Sequence, residues 1–217
     1  MKGRYHTLLF DLDGTITDSK EGIINCFRYA LDFFGVDGSD ETKLMQVMGP
    51  PLKESFMQLY GLTEDQAHVA LGKYRERYTD IGIYENKLYD GIKQVLAGCK
   101  KAGYRIALAT SKPEIFSVRI IRHFGLEQYF DLVTGASLDE SRSTKEAVIS
   151  YILAALELTD KSRVVMIGDR KHDLIGAQVC GIDAVGVLYG YGSWEELSGY
   201  PHVYLAETPD ALLRYFT

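Results

Sequence analysis

The sequence predicts an α/β protein, a parallel sheet covered by helices, with a helical segment inserted behind the first strand. Three observations predict it. Short apolar runs, each closed by turn residues, recur along the chain as buried parallel strands do. From about residue 90 onward, amphipathic helical stripes separate those runs. Between the first run and residue 90, about 65 residues keep helical periodicity without a convincing strand. The expected architecture is a Rossmann-like core over residues 1–17 and 86–217, with a helical cap over 18–85 and hinges at 17–19 and 82–86.

Residues 7–12 form the first run, stopped by Asp13-Gly14 as a strand feeding a loop. Ile23, Phe27, Ala30, Leu31 and Phe34 then make one helical stripe ending at Gly35, and Leu52, Phe56, Leu59 and Tyr60 another ending at Gly61. Thr63 with Gln66 has capping-box spacing and opens a third helix through Ala67, Ala70, Leu71, Tyr74 and Tyr78. After the insert, Ile92, Val95, Leu96 and Cys99 line one helical face that Gly103 stops. Strands are expected at 104–109, 132–134, 164–167 and 184–187, and helices at 114–124, 145–156 and 174–180.

With 46% hydrophobic and 25% charged residues, the chain has the composition of an ordinary packed globular protein. Its net charge of −6 is spread over interleaved acids and bases, with no basic run to meet a nucleic-acid backbone or an anionic membrane. The three cysteines are scattered, without a C-x-x-C pair, and read as reduced thiols. The first apolar run is too short and too quickly followed by acids for a signal peptide, and no stretch reaches the ~20 apolar residues of a membrane span. A cytoplasmic monomer or weak homodimer is expected.

Two acids directly after a buried apolar run are costly without a purpose. Asp11 and Asp13, two positions apart, would face one side of an extended segment, and a divalent cation would relieve their repulsion. One carboxylate could then attack while the other handles protons. Gly14 permits a sharp turn, and Thr15 offers a hydroxyl and an N–H to an anion; a plain strand-ending turn is the bland alternative. Asp169 again follows an apolar run, and Asp173 lies four residues on, in the first turn of a helix, where a simple N-cap is the alternative. Hard oxygen ligands of this kind suit magnesium. Thr110 and Ser111 close another strand and could hold a phosphate oxygen, with Lys145 supplying positive charge. Open α/β sheets bind ligands at this carboxyl edge.

In this order the motifs resemble those of the haloacid dehalogenase superfamily of phosphatases. Asp11-Leu12-Asp13-Gly14-Thr15 is similar to its first motif, Thr110-Ser111 to its second, Lys145 to its third, and Gly168-Asp169 with Asp173 to its fourth. The resemblance implies that Asp11 forms an aspartyl-phosphate, and that Asp13 protonates the leaving alkoxide and then activates water. It implies that magnesium sits on Asp11, the main-chain carbonyl of Asp13, and Asp169, with Asp173 holding its waters. Gly14, Thr15, Thr110, Ser111 and Lys145 would grip the phosphoryl group of a small phosphorylated metabolite. The phosphoglycolate phosphatase branch usually has asparagine and proline where this chain has Ser111 and Glu146. Gly49-Pro50-Pro51-Leu52-Lys53, Gly168-Asp169-Arg170-Lys171-His172-Asp173 and Tyr189-Gly190-Tyr191-Gly192 are more similar to the branch called 5'-nucleotidase-like. Lys53 and Arg170 are the expected specificity residues.

Four other readings compete. Cys99 to Arg105 has the C-x-x-x-x-x-R spacing of cysteine-dependent phosphatases, but Cys99 closes a helix on its apolar stripe, where packing is the simpler role. A dehalogenase of the superfamily would lack the proton-handling Asp13. A sugar-phosphate mutase would share every motif, and a non-catalytic regulatory protein on the same fold would be expected to have lost one. Trp194 reads as a packing anchor and His172 as a solvated helix-start residue.

Overall fold

A computed structural model describes residues 3–139 and 141–217; Met1 and Lys2, at the start of the expected core, and Glu140 lie outside the described residues. The chain divides into two compact units, Met1–Asp18 with Leu88–Thr217, and Ser19–Lys87. Strand β1 (Thr7–Phe10) is followed by the short β2 (Thr17–Asp18) and then by helices α1 (Lys20–Phe33), α2 (Glu41–Met45), α3 (Leu52–Tyr60) and α4 (Glu64–Arg77). A π-helical turn, Tyr78–Gly82, extends α4, and β3 (Lys87–Leu88) comes next. Helix and strand then alternate through α5 (Ile92–Lys101), β4 (Arg105–Pro113), α6 (Glu114–His123), β5 (Leu132–Ala136), α7 (Lys145–Ala155) and β6 (Val164–Gly168). The chain ends with α8 (Lys171–Cys180), β7 (Asp183–Val187), α9 (Trp194–Ser198), β8 (Tyr204–Ala206) and α10 (Pro209–Phe216).

Six strands form one sheet in the order β5-β4-β1-β6-β7-β8, and each described pairing is parallel. The chain builds outward from β1 on one side, then crosses through α7 to build outward on the other. This reversal of strand order is where open α/β sheets place their ligands. Phe10 is level with Leu108 on one side and Ile167 on the other. Asp11, Thr110 and Asp169 therefore leave the sheet at the same edge.

Strand β1 is buried along its whole length, which is why residues 7–10 show no alternation. Leu9 and Met166 pack against Val148, Ile149 and Ile152 of α7 and Leu174 and Ala177 of α8. Each such large side chain contributes about 1.5–3 kcal/mol by leaving water. This core packs α7 and α8 against the sheet, and Lys145 and Asp173 stand in their first turns. Strand β8 and helix α10 have no counterpart in the sequence expectation, because Tyr204-Leu205-Ala206 is too short to show a period. Helix α10 is nonetheless well specified, with Thr208 capping Ala211 N at 3.1 Å and Pro209 in its first turn.

The helical unit has its own core. Phe27 of α1 stacks on Phe56 of α3 at 3.9 Å between centroids, with Tyr60 beside them. Thr63 and Gln66 close the expected capping box on α4. Arg77 holds Glu85 through two bonds of 2.7 and 2.8 Å, and Asn25 adds a third at 3.3 Å. The expected continuation of α4 to Tyr78 is instead the π-turn. Gly82 comes so close to Cys26 there that a Cβ would collide with its sulfur.

Candidate active site

The edge loop after β1 continues the ladder, with Asp11 N donating to Ile167 O at 2.9 Å. It then turns sharply: the amides of Thr15, Ile16 and Thr17 all reach Leu12 O. Asp11 and Asp13 thus lie beyond the strand, and the period-2 argument for their sharing a face does not apply. They face different lysines. Lys145 Nζ stands 2.8 Å from Asp11 Oδ1, and Lys112 Nζ donates to Asp13 Oδ2 at 2.6 Å.

Lys145, in the first turn of α7, is buried, and its ammonium also reaches Asp173 Oδ1 at 2.7 Å and Ala109 O at 2.8 Å. An ammonium has three N–H groups. One is hydrogen-bonded to Ala109 O and the charge pairs with both carboxylates, so Lys145 ties together the ends of β1 and β4 and the start of α8. A Cβ at Gly176 would press on its stem, so this glycine makes room for it. Asp173 is not the N-cap of α8. It sits one turn in, accepting from Arg170 N at 3.1 Å with its other oxygen.

Asp169 is fully buried and accepts from Tyr191 N at 2.7 Å and from the Thr15 hydroxyl at 3.4 Å. Thr15 also spends its N–H on Leu12 O at 3.3 Å, so both groups expected to meet an anion are engaged inside the loop. Gly14 has φ of +86°, and a Cβ there would collide with the Asp169 carboxylate. At Gly190 a Cβ would strike Gly14 O and Asp169. Thr110 is buried, with its hydroxyl oxygen accepting from Lys112 N at 3.2 Å, while Ser111 is exposed.

Ligand oxygens of Asp11, Asp169 and Asp173 lie within 4.8 Å of one another. Three carboxylates against the one ammonium of Lys145 leave a formal charge of −2. Burial pushes the Asp11 carboxyl up to about 6, against the pull of Lys145 and with the repulsion of Asp173 and Asp13. Asp169 is raised well above the carboxylate range, first by burial and then by Asp173 and Asp11. Burial opposes the charge on Lys145, but Asp11 and Asp173 outweigh it and raise its pKa. Hard oxygen donors with an excess of two negative charges fit a divalent cation, which would take the place of protons.

The family model for haloacid dehalogenase-like hydrolases matches residues 8–187. The chain belongs to that family. Among members of this hydrolase family, it is similar to a 5'-nucleotidase of Pseudomonas aeruginosa, 42% identical over 94% of this chain and 92% of that one. It is also similar to the tyrosine-protein kinase PtkA of Mycobacterium tuberculosis, 45% identical over 85% of this chain, although it spans only 62% of that longer protein. A crystal structure of a predicted phosphatase from Clostridium acetobutylicum has the same fold, with a TM-score of 0.92, 44% identity and 97% of each chain covered. The chain is an enzyme of the haloacid dehalogenase-like hydrolases, of their phosphatase type. Among its described residues, no helix is long and apolar enough to cross a membrane.

Arg170 and Lys53 have partners of their own. Arg170 Nε donates to Glu196 Oε1 at 2.9 Å, an oxygen shared with Lys171 N at 2.8 Å. Lys53 pairs with Glu64 at 2.8 Å within the helical unit. Trp194 is 60% exposed and is not a packing anchor, because it is the first residue of the short α9 and Leu197 is the one turned inward. His172 is half-buried, and burial lowers its pKa. Two functional contacts had little sequence signal. Lys112 follows Thr110 and Ser111 with nothing in its spacing to aim it at Asp13, and Tyr191 reaches Asp169 through its backbone.

Cys99 is wholly buried in α5, and burial alone pushes its thiol up to about 12. Its place on the buried face of α5 is that of a core thiol rather than an exposed nucleophile. Cys99→Ser is expected to retain kcat within about threefold, at a stability cost of about 1–2 kcal/mol for the buried hydroxyl. Iodoacetamide at pH 8 should leave Cys99 of the folded protein unmodified, as peptide mass analysis would show.

Proposed function

We propose that the chain is a magnesium-dependent phosphatase that hydrolyses a small phosphomonoester, a nucleoside monophosphate or a phosphoglycolate-like metabolite, through an aspartyl-phosphate, the acyl phosphate of Asp11. The reading is carried by the Lys145 ammonium, which stands 2.8 and 2.7 Å from Asp11 and Asp173. One Asp11 oxygen is thereby held, which leaves the other to attack. Asp11 would form a bond to phosphorus as the ester P–O bond breaks, and Asp13 would give its proton to the departing alkoxide. Asp13 would then take a proton from a water whose oxygen attacks the same phosphorus, breaking the P–O bond to Asp11 and releasing phosphate. Thr110, Ser111 and Lys145 would hold the phosphoryl oxygens. Magnesium held by Asp11, Asp169 and Asp173, with the Asp13 carbonyl, would supply positive charge against carboxylates and phosphoryl oxygens.

A panel of nucleoside monophosphates, phosphoglycolate, sugar phosphates and ATP tests this, each assayed for released phosphate with magnesium and with EDTA. Turnover of a monophosphate that EDTA abolishes and magnesium restores is the expected result. Turnover that survives EDTA, or none on any monophosphate, would overturn the proposal. The metal also has a signed effect on stability. The folded chain binds the Asp11 proton more readily than an unfolded one, since its carboxyl moves from 3.8 to about 6. In EDTA this group therefore costs stability as pH rises through that window. Magnesium should raise Tm more at pH 7.5 than at pH 5.

A further inference from the structure

Strand β4 loses its register with β5 between Ala109, opposite Thr134, and Pro113, opposite Ala136. Thr110, Ser111 and Lys112 therefore stand against Gly135 alone. Bulges of this kind re-aim a side chain at the end of a strand. This one is held on several sides. Gly135 lies under the Lys112 carbonyl, so close that a Cβ would collide with it. The Lys112 amide donates to Thr110 Oγ1 at 3.2 Å, and Ser117 Oγ donates to Lys112 O at 3.5 Å and Pro113 O at 3.2 Å. The result is a lysine side chain only 7% exposed, with its ammonium 2.6 Å from Asp13 Oδ2. The other carboxylate oxygen, Asp13 Oδ1, is buried and has no hydrogen-bond partner among the described residues.

We infer that Lys112 is the positioning residue for proton transfer. It anchors Oδ2 of Asp13 so that Oδ1 carries the proton to the leaving oxygen. This rests on the phosphatase reading above and extends it to a residue to which that reading gives no role. The bulge is the device that brings the lysine to the carboxylate. In the step concerned, the ester P–O bond breaks, its electron pair goes to the leaving oxygen, and the Oδ1 proton moves to that oxygen. A leaving group that is stable as an anion needs no such proton.

The experiment compares kcat/KM, which reports only steps up to that bond cleavage, for an alkyl phosphomonoester and for p-nitrophenyl phosphate. Lys112→Met is expected to lower it by about 100-fold or more on the alkyl ester and by less than about threefold on p-nitrophenyl phosphate. Asp13→Ala should show the same contrast, and Lys112→Arg should recover most of the loss. The ratio between the two substrates does not depend on the fraction of enzyme folded, so a destabilised variant still gives an answer. Equal losses on both esters, or no loss on either, would overturn the role of Lys112 and leave the Asp11 reading standing. Failure of the unaltered enzyme to turn over both esters would overturn the two together.

Discussion

Asp11→Asn is expected to reduce kcat by at least about 10³-fold on every substrate, because the variant keeps the shape of the side chain and loses the attacking carboxylate. Asparagine still presents an oxygen to Lys145, 2.8 Å away in the native chain, so the fold should be undisturbed. The amide also removes one of three carboxyls that crowd a buried space. Asp11 is the group whose ionisation is resisted up to about 6, so the metal-free variant at pH 7.5 should melt no lower than the native protein. Loss of activity with unchanged or higher Tm separates a missing nucleophile from a damaged fold. A kcat within tenfold of the native value would remove Asp11 from the chemistry.

Lys145→Met is expected to damage both activity and stability. The methionine stem still fills the space beside Gly176, so packing is nearly conserved. What disappears is the ammonium that meets Asp11, Asp173 and Ala109 O. Removing one partner of a buried ion pair costs about 3–5 kcal/mol, since the remaining charges stay buried and uncompensated. Against a total stability of about 5–15 kcal/mol, that loss should be plain in thermal melts recorded in EDTA. Magnesium should recover part of it by supplying charge to the same carboxylates. The rate should fall by about 10²–10³-fold, the loss expected when a donor to developing negative charge is removed. Melting in EDTA unchanged from the native protein would mean that Lys145 does not compensate the cluster.

The parts of this site legible in the sequence were those where burial and charge conflict. Asp11 and Asp169 each follow an apolar run that forms a buried strand of the sheet, and that conflict marks them without any knowledge of the fold. The capping box at Thr63 and the helix-stopping glycines were legible because a local bond or a positive φ demands particular residue types. Less was legible where the backbone acts. Tyr191 holds Asp169 with an N–H that any residue but proline could supply. Lys112 depends on a bulge beyond the apolar run by which β4 was recognised, so its side chain could not be aimed from spacing. Thr15 was expected to meet an anion, but the turn around Leu12 O uses its amide and Asp169 uses its hydroxyl.

If Asp11 is the nucleophile, the phosphoryl group must reside on it during turnover. The most direct measurement is an acid quench of the enzyme with magnesium and its best substrate in the first turnover, followed by peptide mass analysis. The expected result is a gain of about 80 Da, one phosphoryl group, on the peptide containing Asp11, absent from Asp11→Asn and lost on longer incubation. Phosphate released at full rate with that peptide never modified, or the same gain on another residue, would contradict it.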